Sequence, residues 1–406
     1  MSLSSLLSLE QAQAQIDALP LPQLATKTLA LHQAVGRVLA QDLYAYHDLP
    51  PFDASAMDGY ALHLPVPEDG LWQVQGRSQA GEVCTATLTA GQAWRIFTGA
   101  PLPAGCDAVL AQEHALVDAA APDHIRSIHS PKLGQHIRRR GSEQAAGDLL
   151  LPAGTRLEAK HIGMLAAQGY AELSIYKRPI VGVLSSGDEL AEPGAALQAG
   201  QIYDANRPQL LALVHACGCT AVDLGRVADD LPATQTALQQ AAARCDLILS
   251  SGGASVGDAD YLRQTISACG QIDFWKLAIK PGKPLALGQV HGKPIAALPG
   301  NPVAAFVTFY ILLAPLLRRA TGQAAAACAN PVRLLPLAQA VRGGEARRQF
   351  LRAQILPTDS DLGTCISPLA QQGSAALASL SQAQALLEIP EGASPAVGEL
   401  LRCYPL

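Results

Sequence analysis

The chain has 406 residues, which is enough for roughly two to four domains of ordinary size. Apolar residues make up 49% of the sequence and charged residues only 16%, so wholesale disorder is excluded. The net charge of −5 leaves no basic excess with which to neutralise a phosphate backbone, which argues against a nucleic-acid-binding protein.

The cysteines and the apolar segments indicate a soluble cytoplasmic protein. Nine cysteines are scattered without a C-x-x-C motif, and the closest pair, Cys217 and Cys219, has no partners at metal-site spacing. This pattern is typical of free thiols in a reducing compartment. Residues 1–8 carry no basic residue, unlike a signal peptide. The longest apolar segment, residues 303–317, is predicted to be a buried helix rather than a membrane span.

The N-terminal part predicts a helix followed by a rigid loop. Ser8 and Gln11 form a capping-box pattern before apolar residues at helical spacing. Residues 47–60 combine two prolines with aspartates, a serine and a glycine, which predicts an ordered loop. We expect Phe52 and Met57 to anchor this loop. Asp58 is then a rigidly held carboxylate, although an Asx-type turn is the structural alternative.

Residues 71–151 alternate short apolar runs with Gly, Pro and Asp clusters, which predicts a β-rich region. Thr98 places a hydroxyl at the end of one predicted strand. The only basic triplet, residues 138–140, is flanked by Gly134 and Gly141. Such a run is usually a solvated face, but here it is also a candidate for contact with an anion.

From Ile180 onward, predicted strands and helices alternate in the βαβ manner. In an open parallel sheet, ligands bind at the carboxyl ends of the strands. Several of these ends finish in acidic or small residues, and we expect them to converge on one face: Asp188, Glu189, Asp229, Asp230 and residues 250–260.

The stretch 246–261 is the strongest candidate for chemistry. A short apolar strand breaks into Ser250, Ser251, Gly252 and Gly253, whose small side chains let backbone N–H groups approach a phosphate. Ser255, Asp258 and Asp260 follow, and carboxylates beside an anion are explained by a bridging divalent cation. A glycine turn with an acidic helix start is the structural alternative.

Three lysines surround a Pro-Gly turn, and a second Pro-Gly turn follows. Lys276, Lys280 and Lys283 lie within a short segment whose backbone is fixed by proline and glycine, which suits a bound oxyanion better than a solvated surface. Residues 298–303 repeat the pattern, with Asn301 expected to cap the buried helix that starts at Pro302.

The C-terminal part, from about residue 324, alternates short strands with Gly-rich turns and predicts a small β-barrel or sandwich. Its only candidates for ligand contact are Arg347, Arg352 and residues 371–374. Alone, these residues would be interpreted as structural.

The motifs, in their order along the chain, closely resemble those of the molybdopterin molybdenumtransferase family, which comprises bacterial MoeA and the gephyrin E-domain. The motifs that carry the resemblance are P-P-F-D-A-S-A-M-D-G-Y-A (50–61), F-T-G-A-P-L-P (97–103), I-R-R-R-G (137–141), S-S-G-D-E-L (185–190), G-Q-I-Y-D-A-N-R (200–207), S-S-G-G-A-S-V-G-D-A-D-Y (250–261), K-L-A-I-K-P-G-K-P (276–284) and L-P-G-N-P-V (298–303).

The resemblance implies a multidomain α/β protein built around a MoaB/MogA-like, doubly wound, mostly parallel sheet domain. It adds a β-rich insertion domain, a mixed discontinuous N-terminal domain and a C-terminal β-barrel-like domain. The implied boundaries are 1–45 and 142–176 for the discontinuous domain I, 46–141 for domain II, 177–325 for the molybdopterin-binding domain III and 326–406 for domain IV.

The implied reaction is the insertion of molybdate into adenylylated molybdopterin with release of AMP, in the last step of molybdenum cofactor biosynthesis. The resemblance implies Mg²⁺ as cofactor and a homodimer whose active site is shared between subunits. It also implies a molybdopterin adenylyltransferase as the upstream partner. That adenylyltransferase activity is the alternative function, because it shares the sheet domain and the Ser-Ser-Gly-Gly turn. A scaffold protein that keeps the fold without catalysis is a third hypothesis.

The resemblance also implies roles for individual residues, carried over motif by motif. The pyrophosphate-binding turn comprises Ser250, Ser251, Gly252, Gly253 and Ser255. Metal-assisted handling of the adenylate falls to Glu189, Asp229 and Asp260, and a loop from the neighbouring subunit supplies Asp58 and Thr98. The molybdate region comprises Lys276, Lys280, Lys283, Pro284, Pro299 and Pro302, with oxyanion contacts from Arg347 and Ser374. Departures from the family pattern fall at Glu143, Ser186 and Ala304, and Ala304 lacks a hydroxyl near the molybdate turn.

Overall fold

A computed structural model describes residues 6–117, 120–252, 261–357 and 363–406. The chain divides into two compact units. The first comprises Met1–Ala40, Ala153–Glu158 and Leu173–Leu406, and the second comprises Gln41–Pro152 and Ala159–Glu172. The multidomain α/β architecture predicted from the sequence is confirmed, whereas the finer division into four domains stays a prediction.

The first unit is built around a six-stranded sheet. In spatial order, the first four strands run parallel to one another, and the fifth pairs antiparallel with both the fourth and the sixth. Only the strand Pro284–Val290 therefore runs against the common direction, which makes the sheet mostly parallel. In spatial order the strands are Thr220–Val227, Ile180–Ser186, Leu247–Ser251, Lys293–Leu298, Pro284–Val290 and Gly270–Lys276.

Helices cover both faces of this sheet because its strands are apolar on both sides. One core cluster joins Val183 and Leu249 to the helices Asn206–Ala216 and Pro302–Thr308 and to the N-terminal helix Leu9–Asp17. A second cluster joins Leu184 and Ile248 to the other side. The helices on that side are Leu231–Arg244 and Tyr261–Cys269. Helices on both faces of a mostly parallel sheet make this domain doubly wound.

The predicted capping box is confirmed at the N-terminal helix. The backbone N–H of Gln11 donates to the Ser8 hydroxyl, and the Ser8 N–H donates to the Gln11 side chain at 2.9 Å. The buried face of the helix carries Leu9, Ala12 and Ile16.

The predicted buried helix is also confirmed. It begins at Pro302–Thr308, continues through a π-helical segment, Phe309–Leu313, and ends with Ala314–Ala320. Within the described residues, Pro302–Ala320 is the one helix long and apolar enough to cross a membrane, but 72% of its most apolar window is buried in the protein. The buried core helix of a globular protein can be equally long and apolar.

The C-terminal strands of the first unit close into a small barrel. Arg348–Pro357, Ala385–Ile389, Leu400–Pro405 and Arg333–Pro336 pair in that order, and Thr364–Pro368 pairs with the first of them. A bridge between Leu337 and Ile366 completes the circle. The barrel-like domain predicted from the sequence is thus present, together with the helix Leu377–Gln382.

The smaller elements of the first unit flank these two sheets. They are the paired strands Thr26–Ala30 and Glu172–Tyr176, the paired strands Leu190–Ala191 and Ile202–Tyr203, the strand Ile279–Lys280, the short helix Ala325–Cys328 and the 3₁₀ turn Leu31–Gln33.

The second unit contains a six-stranded sheet around Trp72, which is fully buried. In spatial order its strands are Ala108–Ala111, Gly59–Leu62, Gln92–Ile96, Leu71–Ser78, His124–Ser127 and Ala115–Val117. Two short ladders pair Ala54–Ser55 with Ile137–Arg138 and Leu43–Tyr44 with Leu149–Leu151. The 3₁₀ turn Gln112–His114 and the helix Ala159–Ala167 complete it.

The predicted anchors of the loop 47–60 are wrong. Phe52 and Met57 are exposed, at 41% and 38%. Backbone pairing of Ala54–Ser55 holds the loop instead, and the buried Ser55 hydroxyl donates to the Met57 carbonyl at 2.6 Å. The apolar character of the two residues did not reveal which face of the loop they occupy.

Candidate functional site

Three neighbouring parallel strands of the central sheet end at the same level. Ser185 pairs with Ser251, and Ser251 pairs with Leu298, so the segments that follow these strands emerge side by side. These segments are the Ser-Gly-Asp-Glu loop, the Ser-Gly-Gly turn and the Pro-Gly-Asn-Pro turn. The carboxyl edge of the sheet therefore presents all three to one region, where parallel sheets bind ligands.

The first residues of the Ser-Gly-Gly turn are tightly packed. Ser250 and Ser251 are buried, and the Ser250 hydroxyl donates to the Gly252 carbonyl at 3.4 Å. Gly252 has a φ of +91°, and a side chain there would lie 3.1 Å from the Ser186 carbonyl. Glycine is favoured at this position because the backbone angle is strained for other residues and the space for a Cβ is tight.

The rest of this turn lies outside the described residues. Four predicted residues fall there: Gly253, Ser255, Asp258 and Asp260. Their assignments stay predictions.

The helix start Asp204–Arg207 cross-links the strand ends and was missed as a site element in the sequence. Asn206, only 7% exposed, donates through Nδ2 to the Ser251 hydroxyl and to the Gly300 carbonyl, both at 2.7 Å. Asp204 accepts a 2.6 Å hydrogen bond from the Ser185 hydroxyl. A single short segment thus fixes the ends of three strands. The available signal was the polar motif D-A-N-R at the start of an apolar helix.

Arg207 extends this network to a fourth strand. It is buried and binds Asp204 at 3.1 Å, Asp223 at 2.5 Å and Glu192. Burial by itself would lower the pKa of Arg207, but the hydrogen bonds that Arg207 donates to these carboxylates outweigh it and raise the pKa. Arg207 therefore stays charged and holds the loop after Ser186 against the sheet.

The acidic residues at this edge take different roles. Burial raises the pKa of Asp229, and the neighbouring carboxylates of Asp188 and Glu189 raise it further. The Asp229 backbone N–H lies 3.5 Å from the Asp188 carboxylate. Asp230 is instead the N-cap of Leu231–Arg244, with its carboxylate accepting from the Ala233 N–H. Asp230 is therefore a structural residue.

The carboxylates at this edge are the ligand type that a divalent cation takes, although the described ones alone do not form a metal site. Asp188, Glu189 and Asp229 supply hard carboxylate oxygens, the ligands that Mg²⁺ prefers. Burial and the neighbouring carboxylates together raise the pKa of Asp229. Within the described ranges, no group of three or more His, Cys, Asp or Glu side chains is close enough to hold a metal. Asp260 lies outside those ranges.

The lysine turn joins the central sheet to the barrel. Lys276 ends the strand Gly270–Lys276 opposite Pro284, and Ile279–Lys280 pairs in parallel with Arg348 and Gln349 of the barrel. The Lys280 ammonium lies 2.8 Å from the Glu345 carboxylate, and Lys283 is exposed. The two domains predicted to share the oxyanion site are thus connected by this turn.

Beside the turn, an open cleft of about 630 Å³ runs along the barrel. Its polar lining includes Lys280, Arg342, Glu345, Gln349 and Gln372. The lining is mixed in charge and large enough for a small anionic ligand.

The two predicted contact residues of the barrel lie near these turns. Arg347 donates to the Ile279 carbonyl at 3.3 Å, next to Lys280, and the Ser374 carbonyl accepts from the Val303 N–H at 3.0 Å. The fully buried Arg352 holds the Ser374 loop by donating to the carbonyls of Gln371 and Gly373 at 2.7 and 3.0 Å.

The Pro-Gly-Asn-Pro turn keeps its predicted place before the buried helix. Pro299 is buried and Pro302 is the first helical residue. Asn301 occupies the predicted N-cap position, but its side chain makes no capping hydrogen bond. The helix start is held by Ser374 and by Asn206 instead.

In the second unit, Asp58 and Thr98 form a pair. The Asp58 carboxylate accepts from both the backbone N–H and the hydroxyl of Thr98, at 2.8 and 2.9 Å. These bonds, that of the backbone first, lower the pKa of Asp58. Gly59 follows where a side chain would lie 1.9 Å from the Leu110 carbonyl, so only glycine fits. The carboxylate is held rigidly in its charged form.

The basic triplet of the second unit is partly neutralised. Arg139 binds Asp53 at 2.6 Å and Arg140 binds Asp48 at 2.5 Å. Two of its three guanidinium groups therefore pair with carboxylates of the loop 47–60, which fits a structural role better than contact with an anion.

Three family models match this chain in succession. Residues 7–169 match the MoeA N-terminal region (domain I and II), residues 182–319 match a probable molybdopterin binding domain, and residues 335–406 match the MoeA C-terminal region (domain IV).

Relatives and solved structures agree with these matches. The molybdopterin molybdenumtransferase of Haemophilus influenzae is 41% identical over 320 residues, covering 78% of both chains. Molybdopterin molybdenumtransferase 2 of Mycobacterium tuberculosis is 38% identical over 386 residues, covering 90% of this chain and 91% of that one. A crystal structure of the molybdopterin biosynthesis MoeA protein from Pyrococcus horikoshii OT3 matches with a TM-score of 0.82 and 26% identity, covering 99% of this chain and 100% of that chain.

The fold, the polar turns at the sheet edge and these matches together define a multidomain protein of molybdopterin metabolism. The chain belongs to the molybdopterin molybdenumtransferase family.

Proposed function

We propose that this protein is a molybdenum insertase, which incorporates molybdate into adenylylated molybdopterin and releases AMP. The observation that carries the proposal is the lysine turn: Lys276, Lys280 and Lys283 lie between the sheet whose edge holds the Ser-Gly-Gly turn and the C-terminal barrel. An enzyme that joins an oxyanion to a phosphorylated substrate needs such cations beside a phosphate-binding turn.

The central sheet supplies the nucleotide side of the proposed site. Ser250, Ser251 and Gly252 offer small side chains and close backbone approach for the pyrophosphate, and Gly253 and Ser255 are proposed to complete the turn. Their place at the carboxyl end of a parallel strand supports this assignment.

The lysine turn supplies the molybdate side. Pro281 and Pro284 restrict the backbone here, and Gly282 is packed so closely that a side chain would lie 2.4 Å from the Thr308 hydroxyl. Fixed ammonium groups neutralise the charge of an incoming oxyanion at little entropic cost. Pro284, Pro299 and Pro302 shape the turns, and Arg347 and Ser374 are proposed to add contacts from the barrel.

Mg²⁺ is proposed as the cofactor, held by Glu189, Asp229 and Asp260. When bound, it would neutralise phosphate charge and favour departure of the adenylate. The hard carboxylate oxygens of Asp188, Glu189 and Asp229 at this edge support this assignment.

We propose a homodimer in which the Asp58 and Thr98 pair of one subunit completes the cleft of the other. The fixed, charged carboxylate of Asp58 supports a role toward a polar ligand. The substrate would come from a molybdopterin adenylyltransferase upstream. We also propose a cytoplasmic location, which is consistent with the nine free cysteines. The division into domains I–IV given by the resemblance is proposed to apply.

One experiment separates insertase from adenylyltransferase. The purified protein is incubated with adenylylated molybdopterin, with and without molybdate, and separately with molybdopterin and ATP. We expect AMP release and molybdenum incorporation only in the mixture that contains both adenylylated molybdopterin and molybdate. Adenylylation of molybdopterin from ATP would instead assign the upstream step, and inactivity in all three mixtures would indicate a scaffold protein.

A further inference from the structure

Asn206 is the buried side chain that joins the two turns at the carboxyl edge of the central sheet. Its Nδ2 lies 2.7 Å from the Ser251 hydroxyl oxygen and 2.7 Å from the Gly300 carbonyl oxygen. The Gly300 carbonyl can only accept, so the nitrogen of the amide must face it. An amide nitrogen only donates, and the Ser251 oxygen therefore accepts from Asn206.

This direction leaves the hydroxyl proton of Ser251 free for another acceptor. Among the described residues, no hydrogen bond donated by the Ser251 hydroxyl is present. The two neighbouring buried serines differ: Ser185 donates to Asp204 at 2.6 Å, and Ser250 donates to the Gly252 carbonyl. Of these three strand-end serines, Ser251 is the one whose hydroxyl donates to no residue in the described part of the chain, so its proton is available to a ligand.

The other side of Asn206 is also informative. Its Oδ1 is buried and has no hydrogen-bond partner in the described part of the chain. An unsatisfied buried acceptor is costly, so the surroundings of Oδ1 do not favour this orientation of the amide. The two donated bonds fix it, and these are the bonds that hold the Ser-Gly-Gly turn beside the Pro-Gly-Asn-Pro turn.

We propose that Asn206 is a positioning residue that makes the Ser251 hydroxyl a hydrogen-bond donor to a phosphate oxygen of the nucleotide. The inference rests on the proposed function, because it takes the Ser-Gly-Gly turn as the phosphate-binding turn. Asn206 itself does not touch the phosphate. A hydrogen bond from a neutral donor to a charged oxygen changes affinity by roughly tenfold to a hundredfold.

A double-mutant cycle on AMP binding tests the proposal. The affinity of the full-length protein for AMP is measured by calorimetry in the presence of Mg²⁺ for the wild type, Asn206→Ala, Ser251→Ala and the double variant. Each single substitution is expected to weaken binding by roughly tenfold or more. In the Ser251→Ala background, Asn206→Ala should cause no further loss, because it acts through that hydroxyl.

The outcomes separate this inference from the proposed function. A wild type that does not bind AMP overturns both. Wild-type affinity in Asn206→Ala, or losses that add in the double variant, overturns the inference alone, because Asn206 would then act by spacing the turns or not at all.

A second comparison does not depend on the folding of Asn206 variants. Ser185→Ala is a matched control, since its hydroxyl already donates to Asp204. It should change AMP affinity less than about twofold, whereas Ser251→Ala weakens it by roughly tenfold or more. Equal effects of the two substitutions would contradict the proposal.

Discussion

The Lys280 ammonium lies 2.8 Å from the Glu345 carboxylate, although the two residues are 65 positions apart in the sequence. Lys280 belongs to the turn proposed to bind molybdate, and Glu345 lines the same cleft. The Glu345 carboxylate is therefore paired with the Lys280 ammonium, which a bound oxyanion would need as its own partner. The hydrogen bond to Lys280 holds the pKa of Glu345 below its usual value, so this competition persists at neutral pH.

The first prediction concerns this competition. Glu345→Gln should strengthen molybdate binding, because Lys280 no longer has a charged partner; for an exposed pair the gain is at most about fivefold. Molybdate affinity is measured by calorimetry. Glu68→Gln, an exposed site in the other compact unit, is the control for the change in net charge. Weaker binding in Glu345→Gln would show that the carboxylate supports the site instead of competing for it.

The contacts of this pair illustrate what the sequence did and did not predict. Local features were predictable: the capping box of Ser8 and Gln11 and the long buried helix depend on residues close in sequence, and both are confirmed. The link between Lys280 and Glu345 depends on how the barrel packs against the turn. No sequence pattern encodes that packing.

Asn206 shows the same limit within the central sheet. Its partners Ser251 and Gly300 lie 45 and 94 positions away. The order of the strands must be known before these residues can be placed together, and the sequence predicted only that strand ends converge. Asp230 was grouped with the acidic site for this reason, and the structure shows that it caps a helix.

The second prediction concerns Thr98. Thr98→Val keeps the shape of the side chain but removes the hydroxyl that donates to Asp58, so the pKa of Asp58 should rise part of the way toward its ordinary value. The rise is only partial because the backbone N–H, the larger cause of the lowering, remains. Titration of the carboxyl signal by NMR measures the change.

The pH dependence of this pair has a defined sign. Because the folded-state pKa of Asp58 is lowered, the stabilisation by Thr98 is present above the ordinary pKa of 3.8 and is lost as the pH falls through the folded value. In Thr98→Val, the pH range over which Asp58 is charged should begin at a higher pH. An unchanged titration would mean that the hydroxyl bond is absent in solution.

The third prediction concerns the buried ion network. Arg207→Ala leaves three carboxylates, including the buried Asp204, without their cation, and should destabilise the protein by roughly 3–5 kcal/mol. Arg207→Lys should not restore stability, because one ammonium cannot reproduce the forked contacts. Thermal unfolding checks this, with the exposed Arg333→Ala as control. Equal unfolding midpoints would rule out a stabilising network.

The fourth prediction concerns the lysine turn. Gly282→Ala should distort it, because the new Cβ would lie 2.4 Å from the Thr308 hydroxyl and the backbone φ is +113°. The affinity for molybdate should fall clearly while the unfolding midpoint changes little, since the distortion moves Lys280 and Lys283. Gly163→Ala is the matched control: it lies in a helix with open space around it and should be neutral or slightly stabilising. Normal molybdate binding in Gly282→Ala would contradict a rigid turn.

The most direct test of the central claim is a single-turnover measurement with adenylylated molybdopterin in which AMP and incorporated molybdenum are quantified together. We predict that the wild type releases one AMP for each molybdenum inserted, and only when molybdate is present. Asp260→Ala should keep the fold and release none. Release of AMP without molybdate, or undiminished release by Asp260→Ala, would contradict the coupling of metal insertion to adenylate cleavage at this site.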